Sequence, residues 1–251
     1  MRVQLLSDLH LETEAYEPQP APGAELLVLA GDIDSTWLGY ERFADWPVPV
    51  LVVAGNHEFD GRDLHRSWPA LRERCASLGL ELLECEERLR VGSDGRRVRL
   101  LATIRWSDYD TFGGDGRERA MRASEYFQQV MQATRDGEPF DPPAVRDEAL
   151  ACRDWLATRL RERPAGIDAT LVVTHFAPSL RSADPRYGAQ PGSASFCNAD
   201  DDLLPLADVW LHGHVHAQHD YRHGARVVSN ARGHARRGEA AGHDPLCVIE
   251  L

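Results

Sequence analysis

Lysine is missing altogether: all 28 basic residues are arginine, against 40 acidic ones, for a formal net charge of −12. We read the missing lysine as compositional bias, without a functional consequence. The shortage of positive charge does have one. Such a field repels polyanions at long range, so no extended nucleic-acid surface is expected, although a local metal site would still attract a small phosphate. Cysteine is scarce too. Cys75, Cys85, Cys152, Cys197 and Cys247 are odd in number, widely spaced and without any C-x-x-C. That argues against a disulfide framework or a zinc knuckle and fits reduced thiols in the cytoplasm. No apolar run is long enough to cross a bilayer. Met1-Arg2-Val3-Gln4-Leu5-Leu6 leads directly into Ser7-Asp8 with no secretory apolar region, so neither a membrane nor export is expected. Internal repeats, low-complexity tracts and long linkers are absent as well. With 43% hydrophobic and 27% charged residues over 251 positions, the composition is that of a globular chain.

What is present is a series of short apolar runs, each ending in polar residues. Val3 to Leu6 precedes Ser7-Asp8-Leu9-His10, and Leu26 to Ala30 precedes Gly31-Asp32-Ile33-Asp34. Val48 to Ala54 precedes Gly55-Asn56-His57-Glu58, Ala169 to Thr174 precedes His175, and Asp208 to Leu211 precedes His212-Gly213-His214-Val215-His216. The runs read as buried strands. Ligands of open α/β sheets sit at the carboxyl ends of strands, where these polar residues fall. Asp8 and His10, two apart, can face one centre while Leu9 faces away. Gly213 allows a tight turn that points His214 and His216 to one side. Each residue alone has a bland reading as a turn or surface residue; five strand ends with metal-type donors make chance a poor account of the set. Carboxylate, amide and imidazole without thiolate suit Mn, Fe, Zn or a related divalent ion.

Between these runs, apolar periodicity predicts helices over Asp63–Ser77, Met121–Thr134 and from Asp141-Pro142 to Arg163. A hairpin is predicted at Tyr221–Ser229 around Gly224, and a last strand at Leu246–Leu251. Residues Glu17 to Gly23, Arg105 to Gly116 and Ser179 to Asp202 read as loops. The last two are expected to decide substrate choice, and Trp106, Tyr109 and Phe112 either cover their own loop or wall a pocket. His212 is expected to pack or hydrogen-bond. His65, His219, His223, His234 and His243 are expected at the surface, with His234 nearest the site.

Asp8-Leu9-His10, Gly31-Asp32, Gly55-Asn56-His57-Glu58, Thr174-His175 and Gly213-His214-Val215-His216 resemble, in order, the five motifs of the calcineurin-like metallophosphoesterase family. The resemblance implies an α/β fold: a four-layer α-β-β-α sandwich of two mixed β-sheets flanked by helices. We expect one domain over 1–251 with a helical and loop insertion around 107–165. It also implies two divalent metal ions, Mn first, with Fe, Zn, Ni or Mg as alternatives. Asp8, His10 and His216 would bind the first, Asn56, His175 and His214 the second, and Asp32 both. A hydroxide bridging the ions would attack phosphorus, and His57 would act as the non-ligand catalytic histidine beside Asp32. Asp34 and Glu58 are expected to orient ligand imidazoles or else to complete their turns, and Arg232 to reach a substrate phosphate. The activity implied is hydrolysis of a phosphomonoester or phosphodiester of a small or medium-sized soluble substrate. The alternatives are a non-catalytic metal-binding or protein-interaction module on the same fold, and a single-metal hydrolase of unrelated fold.

Overall fold

A computed structural model describes residues 1–251. In chain order its elements are β1 (Arg2–Leu6), β2 (Leu26–Ala30), β3 (Val50–Val53), α1 (Leu64–Ser77), β4 (Glu81–Leu82), β5 (Glu86–Val91) and β6 (Arg97–Thr103). There follow α2 (Gly113–Met131), β7 (Thr134–Arg135), β8 (Glu138–Pro139), α3 (Pro142–Arg161), β9 (Ala169–Thr174), β10 (Val209–His212), β11 (Gln218–His223), β12 (Ala225–Asn230) and β13 (Val248–Glu250). One sheet runs β13-β1-β2-β3-β4 and a second β11-β12-β10-β9-β6-β5, while β7 and β8 form a small ribbon. Both large sheets are mixed. β1, β2, β3 and β4 are parallel with β13 antiparallel at the edge, and β12, β10, β9 and β6 are parallel with antiparallel edges β11 and β5.

Alternation within the strands builds the layers. Val3, Leu5, Val28, Ala30, Leu51 and Val53 meet Leu100, Leu171, Val173, Val209, Leu211 and Val228 between the two sheets. Each Val or Leu fully buried there contributes on the order of 1.5–3 kcal/mol. The intervening residues face outward: Leu27, Leu29 and Val52 pack with Leu71 and Cys75 of α1, and Leu101, Val172 and Trp210 with Leu156 and Leu160 of α3. The expected layering of two mixed sheets with helices outside is therefore found. α3 also reaches across to the first outer layer through Val145, Ala149 and Cys152.

Two helix starts follow their capping residues, with Asp63 accepting from the Arg66 N–H (3.2 Å) and Asp141 from the Ala144 N–H (3.0 Å). The helix expected over 121–134 instead occupies Gly113–Met131, so the loop expected to run to Gly116 ends earlier. Its glycines suggest a loop, but Gly116 answers a packing need: a Cβ there would lie 2.6 Å from the Cβ of Phe112. All five cysteines are free.

Candidate metal centre

The parallel strands β1, β2, β3, β9 and β10 all end at one edge of the sandwich, and the two sheets are joined there. Ser7 bridges to Ala231, and the N–H groups of Arg232 and Gly233 donate to the carbonyls of Ser7 (3.1 Å) and Asp8 (2.9 Å). Asp8 donates from its N–H to Gly31 and Gly213 to His175, so the polar tips of neighbouring strands are tied to one another.

The tips bend sharply. Asp8, His10, Asp32, His214 and His216 take left-handed φ angles of 53°, 46°, 53°, 68° and 47°. Such angles are unfavourable for residues with a Cβ and gather where function fixes the backbone. They turn Leu9 into the apolar core while Asp8 and His10 face the centre. At Gly213 a Cβ would lie 2.5 Å from Asp8 Oδ2 and 2.8 Å from the Ala30 carbonyl oxygen, so only glycine lets this chain pass beside the carboxylate.

Two clusters of donor atoms result, each with its atoms within 4.8 Å of one another: Asp8, His10, Asp32 and His216 in one, and Asp32, His175 and His214 in the other. Asp32 belongs to both. Asn56 joins the second, its Oδ1 3.2 Å from His175 Nε2. The structure thus brings Asp8, His10, Asp32, Asn56, His175, His214 and His216 into one pair of adjoining clusters. A third grouping of His10, His216 and His234 adjoins the first, and His234 stacks on His10 with ring centroids 4.5 Å apart.

The donor set fits divalent cations on several grounds. Asp32 Oδ1 accepts from the His57 N–H (2.9 Å), but Oδ2 is buried without a hydrogen-bond donor. Its nearest polar partner is His175 Nε2 at 3.2 Å, an ion pair when the ring is protonated. His10 Nε2 and His216 Nε2 face each other at 3.0 Å. Burial acts to lower the His175 pKa, yet Asp32 outweighs it and lifts the ring to about 9. Burial likewise opposes Asp32 and Asp60 at His57, which is held at about 10. Burial would also raise the Asp32 pKa, but His175 and His57 keep it well below the ordinary carboxylate value. Positive charge thus collects on His175 and His57 beside Asp32, while burial keeps His214 neutral.

The second nitrogen of each imidazole is held. His10 Nδ1 lies 3.3 Å from Glu12 Oε1, His216 Nδ1 2.7 Å from Glu239 Oε2, His175 Nδ1 2.8 Å from the Ala30 carbonyl, and His214 Nε2 3.1 Å from the Ser195 carbonyl. Such partners fix ring orientation and tautomer in metal sites. His57 Nδ1 sits 2.8 Å from Asp60 Oδ2; a carboxylate accepts, so Nε2 is the nitrogen left for the cavity that His57 lines.

Four expectations change. Glu58 touches no imidazole. Fully buried, it accepts from the N–H groups of Gly55 (2.6 Å), Ile33 (2.8 Å) and Asp32 (3.1 Å) and from the Tyr40 hydroxyl (3.0 Å), pinning two tips together. Asp34 completes its own turn, accepting from Thr36 (2.7 Å) and Gly39 (2.9 Å). Arg232 is buried, stacked 4.7 Å over Tyr16 and paired with Glu14 at 3.3 Å, so it does not face the cavity. The arginines that do are Arg186, Arg236 and Arg237. His212 packs as expected, with Nε2 2.9 Å from the Ser182 hydroxyl. His243, expected at the surface, is half-buried between Tyr16 and the Asn230 carbonyl, both at 3.0 Å.

The cavity over the clusters measures about 750 Å³. Residues 106–109 and 183–197 both line it, so the two segments read as loops converge there, and α2 supplies a further wall. Trp106 and Tyr109 serve both of the roles left open for them: each is buried in the core and lines the cavity. Arg105, wholly buried, joins the two segments through ion pairs to Asp108 (2.6 Å) and Asp200 (2.8 Å). Nothing in the spacing of Arg105 marks it.

A sequence profile described as calcineurin-like phosphoesterase matches residues 1–218. Among solved structures, a phosphopantetheinyl hydrolase from Mycobacterium tuberculosis is 17% identical with a TM-score of 0.69, over 93% of this chain and 90% of that one. A dimetal phosphatase from Danio rerio is 13% identical with a TM-score of 0.50, over 91% and 86%. At such identities the likeness is one of fold. No curated protein sequence matches the chain.

Proposed function

Because the chain belongs to the calcineurin-like phosphoesterase family, we propose that it hydrolyses a phosphomonoester or phosphodiester of a small or medium-sized soluble substrate. In this reading Asp8, His10 and His216 hold one divalent ion, Asn56, His175 and His214 a second, and Asp32 both. The observation that carries it is the membership of Asp32 in both clusters, with a buried carboxylate oxygen that faces no partner but the His175 imidazole. Bound there, two such ions supply Lewis-acid polarisation of the phosphoryl oxygens and a water acidified toward neutrality. Oxygen and nitrogen donors without sulfur favour Mn, with Fe, Zn, Ni and Mg as alternatives.

The chain's own residues do the rest. A water that has given up one proton to solvent would bond through its oxygen to phosphorus, the bond to the leaving oxygen would break with its electron pair on that oxygen, and His57 Nε2 would give its proton to that oxygen and regain one from solvent. Asp60 keeps the ring oriented through Nδ1. General acid help of this kind is worth on the order of 100- to 10,000-fold. We assign residues 1–251 to one domain in which 107–165 is an insertion, and we place it in the cytoplasm on the strength of its free thiols. No helix is long and apolar enough to cross a membrane.

The test is hydrolysis of p-nitrophenyl phosphate and bis-p-nitrophenyl phosphate by Mn²⁺-loaded protein beside Asp32→Ala. Turnover that is lost in the variant supports the reading, and the faster substrate separates monoester from diester. Two bound ions without cleavage of either compound would count against it.

A further inference from the structure

The mechanism leaves α2 unexplained. On its cavity side Tyr126, Phe127 and Val130 are 67%, 37% and 53% exposed. Two aromatics and a valine together in water on a chain of net charge −12 call for a reason, since contiguous exposed apolar surface on soluble proteins usually marks a binding site. This patch is continuous with the metal centre. His214 stacks on Phe196 (4.9 Å between centroids), Phe196 meets Phe127 edge-on (5.0 Å), and Phe127 meets Tyr126 (5.6 Å). An aromatic run therefore leads from the second donor cluster out along α2. A cavity of about 750 Å³ is the size that takes a whole organic molecule, far more than a phosphate needs.

The position of His57 fixes which part of the substrate lies there. The Gly61 N–H donates to the Met131 carbonyl at 2.8 Å, which fastens the turn carrying His57 and Asp60 to the end of α2. A leaving group that takes its proton from His57 can therefore extend along the α2 wall of the cavity. The other rim is polar, with Arg186, Arg236 and Arg237 beside Asp184 and Glu239.

We propose that the Tyr126–Phe127–Val130 face of α2 is a leaving-group subsite, so that the ester hydrolysed carries an apolar organic alcohol at least the size of a benzyl group. The assignment rests on the phosphoesterase reading. Its test compares benzyl phosphate with methyl phosphate, whose alcohols are of similar acidity, on Mn²⁺-loaded protein. A second readout is calorimetric binding of the unreactive benzylphosphonate and methylphosphonate. Benzyl is expected to be preferred by at least about ten-fold, in KM and in phosphonate affinity. Both Tyr126→Ser/Val130→Ser and Phe127→Ser should bring the preference to within about two-fold. Arg122→Ala, elsewhere on the same helix, should leave it intact; circular dichroism verifies folding. Equal treatment of the two esters by the unaltered protein, or a preference that survives in both serine variants, overturns the subsite while leaving the phosphoesterase reading in place. No cleavage of either ester and no phosphonate binding overturns both. A patch covered by a second copy of the chain, seen as a dimer by sedimentation that Tyr126→Ser/Val130→Ser dissociates, also overturns the subsite.

Discussion

Glu239 Oε2 lies 2.7 Å from His216 Nδ1 and accepts the His234 N–H at 2.8 Å, so one carboxylate orients a donor imidazole and fixes the loop beside it. Glu12 stands in the same relation to His10 and also accepts the Ser35 N–H at 3.1 Å. Removing such a partner from a metal site lowers affinity by about 10- to 100-fold. Glu239→Ala and Glu12→Ala should each weaken Mn²⁺ binding within that range, measured by calorimetry, whereas Asp34→Asn should not. An affinity that falls with Asp34→Asn and stands with Glu239→Ala would show that the imidazoles take their orientation elsewhere.

Metal loading should release protons. Asp32 holds the His175 ring at about 9, above its ordinary 6.5, so near pH 7.5 the ring is protonated in the metal-free protein. A ligand imidazole must be neutral. Binding should therefore expel about one proton from His175, more if His57 follows once the Asp32 charge is shared. Calorimetry in buffers of different ionisation enthalpy counts the protons, and His175→Ala should lower the count. Loading with no proton release would show that His175 lies outside the ligand set.

Much of the centre can be read from residue order, because strand ends are local features. An apolar run stops, a small residue allows the turn, and a carboxylate or imidazole follows, as at Gly31-Asp32 and Gly213-His214. The sheets followed from the same runs: β2, buried along its whole length, is unmistakable. Features that depend on distant partners are not legible there. Its place beside His57 in sequence suggests that Glu58 faces a ring, but it serves backbone N–H groups 24 to 26 residues away. Arg232 follows a strand as a phosphate-binding arginine would, but Glu14 and Tyr16, 218 and 216 positions earlier, take it up. Glu239 lies beyond the matched residues 1–218, in a stretch with no periodicity, and only its position in space marks it.

Arg105 should prove a structural keystone of the cavity. Its guanidinium is wholly buried and bonded to both oxygens of Asp200 (2.8 and 2.9 Å), to Asp108 (2.6 Å) and to the carbonyls of Trp106 and Ala149. Removing one partner from a buried pair leaves the other charge without compensation, which costs about 3–5 kcal/mol. Arg105→Met should lower the urea-unfolding free energy by about that amount. Adding Asp200→Leu to Arg105→Met should recover part of the loss, since it removes a buried carboxylate left with only Arg153 at 3.2 Å. A loss from Arg105→Met below about 1 kcal/mol would mean that water reaches the pair.

His212 gives the protein an acid-side limit. Burial first, then the neighbouring His219 and His175, depress its pKa to about 3 against the contrary pull of the Gly213 carbonyl, while the free imidazole titrates at 6.5. Between those values the unfolded chain binds a proton that the folded one refuses, so stability rises with pH across the window. The contribution is complete above about 6.5 and is lost as pH falls toward 3, at up to about 1.4 kcal/mol per pH unit. The Ser182 hydroxyl, 2.9 Å from Nε2, gives the neutral ring a partner that a glutamine amide can also satisfy. Urea unfolding at several values between about pH 4.5 and pH 7.5 should therefore show a slope that His212→Gln reduces by up to one proton. His214, also held well below its ordinary pKa, keeps the remaining slope from vanishing. Identical slopes in the two proteins would show that the folded chain opens to solvent at His212 before it unfolds, and that the turn after β10 is looser than its bonds to Ser182 and Gly213 imply.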